Sequence, residues 1–81
     1  MDNLLEYKGY YAKVEIDFEA QEFYGELYGI TDYVDFISDM KEGMPGIIRE
    51  FHSAVDDYIE FCAEVGKTPA KPKLELELMR A

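Results

Sequence analysis

The hydrophobic period of this chain changes once, from two to 3.6, and that change bounds what it can fold into. Residues 10–18 alternate strictly. Ala12, Val14, Ile16 and Phe18 point one way, and Tyr11, Lys13, Glu15 and Asp17 point the other. Period two with β-branched and aromatic residues predicts a half-buried strand. Residues 23–28 alternate again after a short polar connection, so the two segments read as a hairpin. A turn at 29–32 leads to a third strand over 33–37, which completes an antiparallel meander. After an irregular stretch over 38–46, Met44, Ile47, Ile48, Phe51, Val55, Tyr58, Ile59, Cys62 and Val65 recur three and four residues apart. That spacing predicts an amphipathic helix over 44–65. Pro45 falls in its first turn, where a missing N–H costs nothing, and Gly66 and Pro69 are stop signals. Residues 74–78, Leu-Glu-Leu-Glu-Leu, alternate once more and read as a fourth strand.

The expected fold is therefore α+β, in the order βββαβ, as one domain over residues 1–81. Returned by the helix, the fourth strand would run parallel to the first, giving a mixed sheet of order 3-2-1-4. The expected core is Ala12, Val14, Ile16, Phe18, Leu27, Val34, Phe36, Ile48, Phe51, Val55, Tyr58, Ile59, Cys62, Leu74, Leu76 and Leu78. One helix covers one face of four strands. The other face would present Tyr11, Glu15, Asp17, Tyr24, Glu26, Tyr28, Tyr33, Asp35, Glu75 and Glu77, opposed by Lys13 alone.

Charge narrows the functional classes. Eighteen acidic against eight basic residues give a formal charge of −10. A nucleic-acid binder needs a basic footprint to neutralise phosphates, so direct nucleic-acid binding is not expected, nor is binding to an anionic membrane. Carboxylates on an open face keep a sheet soluble, but four Tyr exceed that need. Tyr is enriched at interfaces and carboxylates steer a basic partner, so the face reads as a docking surface. A competing docking patch lies on the helix around Asp57, Phe61 and Glu64, which would leave the sheet face for self-association. A homo-oligomer is expected.

Enzyme chemistry finds little support. Asp17, Glu26, Asp35 and the Asp56–Asp57 pair could in principle hold two Mg²⁺ ions for nuclease chemistry. The strand acids and helix acids are expected on separate surfaces, and no basic groove would hold RNA. His52 is the single His, which excludes a His cluster, and Cys62 lies inside the apolar stripe as a small core residue. One Cys excludes an internal disulfide. No catalytic, metal or cofactor-binding residue is assigned. With no leader or membrane-spanning run, a cytoplasmic location is expected.

Three segments and a tail together resemble the HicB family of type II toxin–antitoxin antitoxins. They are Tyr7-Lys8-Gly9-Tyr10-Tyr11, the run from Gly25 through Gly29-Ile30-Thr31-Asp32 to Phe36, the helix run from Phe51-His52-Ser53-Ala54-Val55-Asp56-Asp57-Tyr58 to Cys62, and Gly66-Lys67 with Pro69, Lys71 and Pro72. The resemblance covers nearly the whole chain. It implies a reduced RNase H-like fold without catalytic acids. The implied role is neutralising a small basic HicA-like mRNA interferase by protein–protein binding. The sequence departs from the family in two places. The DNA-binding domain that usually follows is absent from this chain, and residues 39–46 replace the expected Ser-initiated helix start. The alternative reading is a stand-alone HicB-like regulatory or assembly module without a toxin.

Overall fold

The computed structural model describes residues 4–30 and 32–70. In chain order these form strands β1 (Leu4–Tyr7), β2 (Tyr10–Asp17), β3 (Glu22–Tyr28) and β4 (Asp35–Asp39), a 3-10 turn (Met40–Glu42) and one helix, α1 (Gly43–Glu64). The class is α+β, and the four strands make one antiparallel sheet in the order β1-β2-β3-β4. The meander expected at 10–18, 23–28 and 33–37 is β2, β3 and β4. Its last strand lies two residues later than expected, which leaves Tyr33 just outside it.

The expected order 3-2-1-4 is not what the described residues form. The place beside β2, assigned to residues 74–78, is taken by β1, which pairs Leu4 with Lys13 and Tyr7 with Tyr10. Residues 74–78, with Leu74, Leu76, Leu78, Glu75 and Glu77, lie outside the described residues. β1 exists because Lys8 and Gly9 both hold positive φ, 54° and 83°. Two-residue turns with that geometry match the natural twist of antiparallel strands. The Glu6 carboxylate accepts a hydrogen bond from the Gly9 N–H at 3.0 Å and closes the turn.

Both ends of the helical segment are set locally. Asp39 Oδ1 accepts from the Lys41 N–H at 2.8 Å, capping the 3-10 turn that feeds α1. At the far end Gly66 takes φ 73°, with the Lys67 N–H on the Cys62 carbonyl at 2.8 Å and the Gly66 N–H on Ala63 at 3.3 Å. This pairing satisfies two carbonyls that a helix end would otherwise leave bare.

The core lies between α1 and one face of the sheet. Ala12, Ile47, Phe51, Val55 and Cys62 are fully buried, and Tyr10, Val14, Leu27, Phe36 and Tyr58 nearly so. Val34, Ile48 and Ile59 pack against this cluster but stay partly exposed. Two expected core residues are not in it: Ile16 is 48% exposed and Phe18 74%. The reason is reach. α1 packs chiefly against β4, and the β2–β3 hairpin runs past its cover, with Phe18 already in the turn. Gly25 and Phe36 are cross-strand partners, and the Phe36 ring fills the space that a Gly25 side chain would take.

Candidate functional site

The register decides which residues share the outer face. Tyr11 stands opposite Tyr28, Lys13 opposite Glu26, and Glu15 opposite Tyr24. Glu26 in turn faces Asp35, and Tyr24 faces Ile37. Because successive strand residues alternate, Tyr11, Glu15, Asp17, Tyr24, Glu26, Tyr28 and Asp35 lie together on the face away from α1. Seven of the eight expected site residues are thus placed by the strands. Tyr33 joins from the connection before β4. Its hydroxyl shares a 2.5 Å hydrogen bond with that of Tyr24 and donates to Asp35 Oδ2 at 3.1 Å.

The hydrogen bond to Tyr24, reinforced by Asp35, drives the Tyr33 hydroxyl well above the usual phenol range. A protonated Tyr33 is thus held in place by a carboxylate and a second ring. Lys13 is the one cation of this face among the described residues, and its ammonium sits 5.1 Å over the Tyr28 ring. This is a cation–π contact within the face itself. Glu15, Asp17, Glu26 and Asp35 surround the rings with negative charge.

A groove of about 610 Å³ runs beside this face, between β4 and α1. Tyr33 and Asp35 line it from the sheet, and Asp57, Glu50, Ala54 and Phe61 line it from the helix. The periodicity sets the sheet face and the helix patch apart as competitors. The structure instead brings Asp35 and Asp57 to one groove, because β4 is the outer strand on that side. The Asp35 side chain nonetheless belongs to the face away from α1. Glu64, expected in the helix patch, is not among the lining residues.

The remaining polar side chains tie the fold together. Asp56 turns to the β1 side of α1, where Lys8 Nζ lies 2.9 Å from its Oδ1 and the Tyr7 hydroxyl donates to Oδ2 at 3.3 Å. His52 stacks on the Tyr7 ring with centroids 3.9 Å apart. Asp32 Oδ2 accepts from the Tyr58 hydroxyl at 2.6 Å and from Lys67 Nζ at 2.7 Å, and Tyr58 in turn accepts from the Ala70 N–H at 2.9 Å. Among the described residues no group of three or more His, Cys, Asp or Glu is placed to hold a metal ion. No described helix is long and apolar enough to cross a membrane.

Comparison with protein-family models, curated proteins and solved structures gave no match.

Proposed function

We propose that this chain is a binding domain of the HicB kind, reduced RNase H-like in ancestry, that neutralises a small basic HicA-like mRNA interferase in the cytoplasm by covering it. The observation that carries the reading is the outer face. Carboxylates Glu15, Asp17, Glu26 and Asp35 frame Tyr24 and Tyr28 on a chain of charge −10. Long-range attraction orients a cationic partner before the rings lose their water, raising association rates ten- to about a thousandfold. No step of this requires catalysis, a metal or a cofactor. Self-association belongs to the same proposal.

Rescue from toxicity tests it. Where a basic HicA-like protein is encoded beside this chain, its expression should arrest growth, and co-expression of the chain should restore it. Asp17→Lys with Glu26→Lys weakens the rescue and slows association at low salt. Full rescue by that charge-reversed chain would remove the sheet face from the contact. Absence of any captured basic nuclease favours the stand-alone regulatory module.

A further inference from the structure

The outer edge of β4 is open among the described residues. The Leu27 N–H donates to the Val34 carbonyl at 2.9 Å. In an antiparallel pair, hydrogen-bonding direction alternates along the strand. Val34, Phe36 and Ser38 therefore turn their backbone groups inward to β3, and Asp35 and Ile37 turn theirs outward. Ile37 is also 51% exposed, and Phe61 across the groove 54%. Native sheets rarely leave such an edge without a device to discourage pairing. Here the device is charge of one sign, with Asp35 and Asp39 at the two ends of the strand.

We propose that the basic partner docks by adding an extended strand to this edge, a conclusion that rests on the acidic-surface reading above. An added strand sends alternate side chains to opposite faces. One set enters the groove against Ala54 and Phe61, and the other lies beside Asp35 and Asp39. An occupant that alternates apolar residues with Lys or Arg satisfies both environments at once. A second copy of this chain does not. Antiparallel pairing about Ile37 would set Asp35 of each copy against Asp39 of the other, on molecules of charge −10.

The probe is a blocked heptapeptide of alternating lysine and valine, titrated into the full chain while amide exchange is followed at Ile37. Its controls are a peptide of identical composition with the lysines in one block, and the alternating peptide with N-methyl groups along one backbone edge. The alternating peptide should bind on the order of tenfold more tightly than the block peptide and slow Ile37 exchange by at least as much. N-methylation should abolish the difference. Ile37→Pro removes one outward N–H at an edge position where proline is tolerated. It should keep the far-UV spectrum and lose the preference.

An Ile37 amide already protected in the free chain would overturn the proposal. Protection that fades on dilution would name a second copy, and protection that persists would name the chain's own residues. If the peptides bind alike, N-methylation is silent and Asp17→Lys with Glu26→Lys weakens them equally, the acidic-surface reading stands and strand addition falls. If no lysine peptide binds better than a threonine–valine analogue, both fall.

Discussion

A side chain at Gly25 would collide with the Phe36 ring, its cross-strand partner, and that ring packs in turn on Phe51 with centroids 5.6 Å apart. Gly25→Ala should therefore lower stability by about 1–3 kcal/mol, as overpacking a filled core does. The urea midpoint falls and the slope holds, because the surface exposed on unfolding is unchanged. The tethering carboxylates give a second prediction at this scale. Hydrogen bonds from Lys67 and then Tyr58 hold the Asp32 carboxyl below the ordinary carboxylate range, and the hydrogen bond from Lys8 does the same for Asp56. A folded-state pKa below the unfolded one favours folding in the deprotonated form. That contribution is whole above about pH 4 and is lost as pH falls through the lowered values. The difference in Tm between wild type and Asp32→Asn with Asp56→Asn should therefore narrow from about pH 5 to about pH 2. A constant difference across that range would detach these pairs from the pH dependence.

Among the elements, α1 is the most legible in the sequence, its bounds falling within a residue of those the 3.6 period predicts. Alternation alone places β2 and β3 and tells their two faces apart, and with them most of the acidic, tyrosine-bearing face. Three things escape it, each for a physical reason. β1 turns on Lys8-Gly9, which lacks the Asn or Asp that usually marks a two-residue hairpin turn, so the apolar pair Leu4-Leu5 shows no partner in the pattern. β4 continues through Ser38 because that residue is buried against Gly46, where a side chain would meet the Ser38 hydroxyl, a contact between elements. The groove depends on how far α1 sits from the sheet edge, which no period encodes. The helix end offers the test at this scale. Gly66→Ala forces a side chain onto a residue at φ 73° and should cost about 1 kcal/mol, lowering Tm by roughly 4–8 °C in a domain of this size. An unchanged Tm would show that the Tyr58–Asp32–Lys67 tether holds the end without the glycine.

At the scale of the molecule, charge and aromatic surface should separate in the kinetics of binding. Exposed carboxylates act over a screening length of about 8–10 Å, so the association rate carries the salt dependence. Tyr28 acts only once desolvated, so Tyr28→Ala should leave association nearly unchanged and speed dissociation, at about 1–3 kcal/mol if the ring is an anchor. Stopped flow with the basic partner over a salt series measures both; a slower association for Tyr28→Ala would place the ring in the encounter step. The one sulfhydryl carries a different consequence. Cys62 is wholly buried on the last turns of α1, beneath the tyrosine tether. A thiol reagent can reach it only when the core opens, so the labelling rate at low reagent reports the population of the open form. The molecule thus carries its own stopwatch, one chromophore-ready atom whose patience in native buffer ranks every substitution above without denaturant.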